Sequence, residues 1–84
     1  MEYTINDNLL ILKIDEDTEY SVDLKNIDIF TCNLSTYGMF EGKNTYEFKF
    51  VMKSGYELII KHNLKTLFVN DVKESIYNAL SSII

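Results

Sequence analysis

Two short segments near the start of the chain carry apolar side chains at every second position. Between Leu9 and Ile14, Leu10, Leu12 and Ile14 alternate with Leu9, Ile11 and Lys13; between Glu19 and Leu24, Tyr20, Val22 and Leu24 alternate with Glu19, Ser21 and Asp23. A period of two is the signature of a strand with one buried face. The acidic stretch between the segments reads as a hairpin loop, Asp15 to Glu19. That loop predicts Ile14 opposite Tyr20, Leu12 opposite Val22 and Leu10 opposite Leu24, with the apolar side chains gathered on one face. Ile27 to Leu34 continues as β-rich sequence, and the interruption at Lys25 and Asn26 predicts a bulge or bend.

A second hairpin runs from Tyr46 to Met52, through Lys53-Ser54-Gly55, to Tyr56 and on to His62. A two-residue turn at Ser54-Gly55 would set Phe48 opposite Lys61 and waste the pattern. A three-residue loop with Gly55 in the left-handed position instead pairs Met52 with Tyr56, Phe50 with Leu58 and Phe48 with Ile60, while Glu47 meets Lys61 on the other face. Beyond it, Val72, Ile76, Leu80 and Ile83 form one stripe of an amphipathic helix. Asp71 and Glu74 read as a variant capping box. Leu64, Leu67 and Phe68 also fit helical spacing, with Asn63 as an earlier cap, so the helix start is open between residues 64 and 71.

These elements predict an α+β fold in one domain spanning residues 1–84, an antiparallel meander of about four to five strands with one C-terminal amphipathic helix packed on one face. Asp23-Leu24-Lys25-Asn26-Ile27, the Lys53-Ser54-Gly55 turn and the helix stripe together resemble a pattern in small bacterial and phage proteins that is similar to pleckstrin-homology-like domains. The resemblance implies a β body closed by a helix. All of its matching residues are structural.

Thirteen acidic residues against eight lysines give a net charge of -5, the wrong sign for gripping a phosphate backbone, so no direct contact with nucleic acid is expected. No apolar run is long enough to cross a membrane as a helix, and the first residues lack the basic and apolar regions of a signal peptide, which leads to the expectation of a cytoplasmic protein without membrane contact. Cys32 is the single cysteine, so the fold must stand on its core without a disulfide. Arginine is absent, and with it the bidentate fork of a phosphoryl-transfer clamp.

Candidate chemistry is sparse. His62, the single histidine, is the natural acid–base group near neutral pH, but no partner is defined by spacing and it reads as a strand-end residue. Cys32 in a β segment reads as a small buried hydrophobe rather than a nucleophile. Asp15, Glu16, Asp17 and Glu19 invite a calcium reading, which fails because the positions that an EF-hand loop gives to glycine and a bidentate glutamate hold Tyr20 and Asn26. No metal site, cofactor or catalytic residue is expected.

Two features point instead to binding. If the helix covers the face bearing Phe48, Phe50, Leu58 and Ile60, the opposite face presents Leu9, Ile11, Val51 and Ile59, more apolar surface than one wet sheet face usually carries. A homo-oligomer interface is expected there. In the Ser35 to Thr45 stretch, Tyr37, Met39 and Phe40 sit beside Gly38 and Gly42 on a connection of the kind that anchors protein interfaces, the other reading being that they fold back and seal the sheet edge. The functional expectation is a non-enzymatic protein-binding module, a small acidic inhibitor of the immunity or phage anti-defence type that acts by steric blocking. In it Tyr37, Met39 and Phe40 dock, while Asp15, Glu16, Asp17 and Glu19 orient a basic protein partner. The alternative is a structural homo-oligomer with no inhibitory role.

Overall fold

The computed structural model describes residues 1–38 and 42–83. Six strands, β1 (Glu2–Asn6), β2 (Leu9–Lys13), β3 (Glu19–Asp23), β4 (Ile27–Thr36), β5 (Lys43–Met52) and β6 (Glu57–Lys65), precede one helix, α1 (Thr66–Ile83). They pair antiparallel into two three-stranded sheets, β1-β2-β3 and β4-β5-β6. The α+β class is as expected, but the strands exceed the four to five anticipated and divide between two sheets instead of one meander.

The additional strand is β1. It is joined to β2 by Asp7 and Asn8, both at positive φ (51° and 65°), the backbone of the two-residue turn that matches the natural twist of a hairpin. Tyr3 and Ile5 then stand opposite Leu12 and Leu10. Tyr3 also anchors the helix: its hydroxyl donates to Asp71 Oδ2 at 3.0 Å and lies 2.7 Å from Ser75 Oγ, while its ring meets Phe68 edge-on at 6.0 Å. Phe68, Asp71 and Ser75 share a helix face, so one side chain of β1 fixes how α1 lies.

The β2–β3 hairpin is offset by two residues from the expected register. Leu12 faces Tyr20, Leu10 faces Val22 and Lys13 faces Glu19, leaving Ile14–Thr18 as the loop. The loop closes on Ile14 N–H to Thr18 O at 2.9 Å, and Asp15 Oδ1 accepts from Asp17 N–H at 2.8 Å. A slip of two keeps every side chain on its face, so the burial pattern survives the change. It also frees Leu24 from the strand. Leu24–Asn26 form a 3-10 turn, whose cap is Asp23 accepting from Lys25 N–H at 3.1 Å and from Asn26 Nδ2 at 2.7 Å. The expected irregularity at Lys25 and Asn26 is therefore a turn between the sheets, and a register shift follows it between Ile27 and Ile29.

The β5–β6 hairpin has the expected pairing: Phe50 with Leu58, Phe48 with Ile60 and Glu47 with Lys61. Gly55 N–H bonds Met52 O at 2.8 Å and Gly55 has φ +94°. The helix start falls within the interval left open, and neither candidate cap lies at it. β6 runs directly into α1 at Thr66, Asn63 is a strand residue opposite Thr45, and Asp71 lies in the second turn, where its carboxylate serves Tyr3 rather than a helix cap.

Both sheets and the helix share one core. Leu10, Leu12 and Val22 come from the first sheet, Phe30, Phe48, Phe50, Ile60 and Leu64 from the second, Leu24 and Ile27 from the connection, and Val69, Val72 and Ile76 from α1. Phe30 stacks on Phe50 at 5.0 Å and takes Tyr77 of the helix edge-on at 5.3 Å. Leu80 and Ile83 continue the helix stripe, partly buried.

Replacing Gly55 by Ala should lower stability by about 1 kcal/mol or more, because a Cβ is strained at this positive φ even though no neighbour crowds it. Urea denaturation of the two proteins checks this, and an unchanged midpoint would contradict the turn.

Candidate functional site

The charge of the chain is divided between its sheets. Residues 1–23, which build β1, β2 and β3, hold seven acidic side chains and a single lysine, Lys13, for a net -6. The remaining sixty-one residues hold six acidic side chains and seven lysines, for a net +1. The whole negative balance therefore resides on the first sheet and its turns.

Strand alternation decides what that sheet shows outward. Tyr3, Ile5, Leu10, Leu12, Tyr20 and Val22 point to the core, so Glu2, Thr4, Leu9, Ile11, Lys13, Glu19, Ser21 and Asp23 face away from it. Leu9 and Ile11 sit side by side on the central strand, with carboxylates of both edge strands around them. Glu2, Tyr3, Thr4, Ile11, Lys13 and Glu19 line an open depression of about 320 Å³. Leu9 and Ile11 thus form a small apolar patch bordered by charged and polar side chains.

The acidic tip continues this face. Asp15, Glu16 and Asp17 are exposed, and Glu19 begins β3 directly after it. The Asp17 N–H holds the Asp15 carboxyl below its ordinary value, opposed by desolvation and helped by Thr18 and His62. The tip consequently keeps a negative charge on Asp15 into more acidic solution than a free aspartate would.

The four apolar residues assigned to one open face do not share it. Leu9 and Ile11 lie on the outward side of the first sheet, whereas Val51 and Ile59 lie on the outward side of the second, near Ile29. The expectation assumed one sheet, and the 3-10 turn at Leu24–Asn26 divides the strands between two layers instead. Ile29 and Ile59 remain about half exposed, at 52% and 51%. Around them the second outward face carries Thr31, Asn33, Glu47 and Lys61, together with the Lys49–Glu57 ion pair at 3.3 Å.

Tyr37 is 80% exposed, and Met39 and Phe40 lie outside the described residues. The base of their connection is tied down. Asn44 Oδ1 accepts from Gly38 N–H at 2.8 Å, Asn44 Nδ2 donates to Thr66 Oγ1 at 3.2 Å, Tyr46 OH lies 2.9 Å from Thr66 Oγ1, and Thr66 N–H donates to Gly42 O at 2.8 Å. A Cβ on Gly38 would overlap the Lys43 carbonyl oxygen, which explains glycine at this close approach.

His62 and Cys32 are held apart. They stand on β6 and β4 with β5 between them, roughly 10 Å or more at the backbone for two interstrand spacings. His62 Nε2 instead meets Tyr20 OH at 3.0 Å, a polar link between the two sheets. Cys32 is half buried, and burial pushes its thiol above the ordinary value while Lys73 partly offsets this. Among the described residues no group of three or more His, Cys, Asp or Glu is arranged to hold a metal ion.

The thiol of Cys32 should alkylate slowly with iodoacetamide near neutral pH and accelerate only above the pH at which a free cysteine does, because burial favours the protonated form. A rate profile matching that of a small free thiol would contradict it. Tyr20→Phe should cost about 0.5 to 1.5 kcal/mol by removing the hydroxyl bonded to His62, as read by thermal unfolding. Comparison with known proteins finds no matching family model, no matching curated protein and no matching solved structure.

Proposed function

We propose that this chain is a non-enzymatic protein-binding module that meets a basic partner with the outward face of its first sheet and the adjoining acidic tip. The observation that carries the reading is the segregation of charge: net -6 on residues 1–23 beside a nearly neutral remainder. Leu9 and Ile11 supply desolvation at the centre, and Glu2, Asp15, Glu16, Asp17, Glu19 and Asp23 supply orientation at the rim. A field of one sign on one side speeds encounter with a positively charged surface and disfavours nucleic acid and anionic membrane. Tyr37, exposed at the far end of β4, is a second contact in this reading.

Occupying a partner's basic surface blocks whatever that surface binds, so the mode of action is steric. An inhibitor of the immunity or phage anti-defence type is the concrete form of this proposal, and it supports placing the protein in the cytoplasm beside its target. Self-association is the second reading. Its support is the apolar surface left exposed on the second sheet by Ile29 and Ile59.

The test is affinity capture from lysate of the encoding cell with the native chain, with the triple variant Asp15→Lys, Glu16→Lys, Asp17→Lys, and with Lys61→Glu as a control on the second sheet. The native chain and the control are expected to retain the same partner in a salt-sensitive manner, and the triple variant to lose it. Equal retention by all three proteins would remove the acidic tip from the mechanism.

A further inference from the structure

The two sheets expose four edge strands, β1, β3, β4 and β6, and three of them carry the usual defences against pairing with another chain. β1 and β3 are only five residues long, with Glu2 on the first and Glu19 and Asp23 at the two ends of the second. β6 has Glu57, Lys61 and Lys65 spaced along it. Short length and regularly placed charge are how natural sheets keep their edges from adding strands.

β4 has neither. It is ten residues long, its one charged residue is Asp28 at the register shift near its start, and Ile29 to Thr36 is an uncharged, proline-free run rich in β-branched and apolar residues. Among the described residues it pairs only with β5, and Asn33, Leu34, Ser35 and Thr36 are exposed. Its other side therefore presents backbone N–H and C=O groups in a ready ladder.

We propose that a second copy of this chain adds to this edge, β4 against β4 antiparallel, with the two-fold axis passing beside Cys32. The observations select a second copy because the run is self-complementary about that residue. A two-fold axis perpendicular to an antiparallel pair sets one residue opposite its own copy, and directly opposed side chains share a face. Centring on Cys32 pairs Phe30 with Leu34 on the core side, and Ile29 with Ser35 and Thr31 with Asn33 on the outer side. The run itself carries no charge, and Asp28 falls opposite Thr36, so no two charged residues of β4 oppose one another in this register.

A second, independent feature fits the same register. Leu34 continues the inward-facing row of Phe30 and Cys32, yet it is 41% exposed, and Tyr77, edge-on to Phe30, is 45% exposed. Opposing Leu34 to Phe30 of the other copy brings it beside Tyr77, so two solvent-facing apolar groups cover one another. The inference locates the self-association reading on an edge rather than on the outward faces of the sheets, and it rests on that reading, not on the acidic partner surface.

The experiment is sedimentation equilibrium of the native chain and of Leu34→Lys, Ile59→Lys and Cys32→Ser, with circular dichroism to verify folding, followed by diamide oxidation. The native chain, Ile59→Lys and Cys32→Ser are expected at twice the 9.8 kDa chain mass, and Leu34→Lys at the monomer mass with unchanged dichroism. Diamide, which takes up the two thiol hydrogens, is expected to link the native dimer through Cys32, because opposed residues lie about 4.5 to 5.5 Å apart at Cα, within disulfide reach. A native monomer at every concentration overturns the proposal together with self-association. A dimer that survives Leu34→Lys, dissociates with Ile59→Lys or resists diamide overturns the β4 edge alone and leaves self-association standing on another surface.

Discussion

The aromatic layer of Phe30, Phe48 and Phe50 is the constraint on which the other elements depend. Phe48 and Phe50 have no solvent exposure, and Phe30 stacks across them from the neighbouring strand. Three phenyl rings on one side of a three-stranded sheet are too large an apolar surface to leave in water, at about 25 cal/mol for each Å² buried. Neither the first sheet nor the helix alone supplies the cover. Leu10, Leu12 and Val22 contribute from one and Val69, Val72 and Ile76 from the other. The 3-10 turn at Leu24–Asn26 is the hinge that lets the chain supply both, and its own Leu24 closes the seam.

Polar links then orient what the apolar layer gathers. Tyr3 ties β1 to the helix through Asp71 and Ser75, Tyr20 ties β3 to β6 through His62, and Thr66 with Asn44 and Tyr46 ties the helix start to the second sheet. Each hydrogen bond in them is of modest net strength, yet each link spans two elements that would otherwise be free to slide. The single histidine and three of the tyrosines are thus occupied in architecture. The chemistry left on the surface is charge, and it is unevenly distributed because the acidic residues cluster in the strands of one sheet.

Much of the local structure was legible in the residues. The β5–β6 pairing followed from Gly55 and from the need to oppose Phe48 to Ile60, since a two-residue turn would have set Phe48 opposite Lys61. The helix stripe and the inward faces of β2 and β3 followed from periodicity. β1 was missed although Asp7-Asn8 between two alternating segments was a readable turn signal. The β2–β3 register was misread by two because alternation specifies a face, and every even slip satisfies it equally; the bond from Ile14 to Thr18 is what selects among them. The acidic tip was legible as a site of charge, while its continuity with Leu9 and Ile11 was not, since only the pairing of three strands brings them together.

Taken alone, the amino-acid order determined which side chains must be hidden, where the second hairpin turns, and that the closing element is a helix, because those depend on neighbours along the chain. The tertiary structure alone decided that the strands divide into two facing layers, that Leu9 and Ile11 part company from Val51 and Ile59, and that Asp71 serves a tyrosine sixty-eight residues away instead of a helix end. Local periodicity reports the direction of a side chain relative to its own strand or helix. Which other element lies in that direction depends on how distant apolar surfaces find cover in one core.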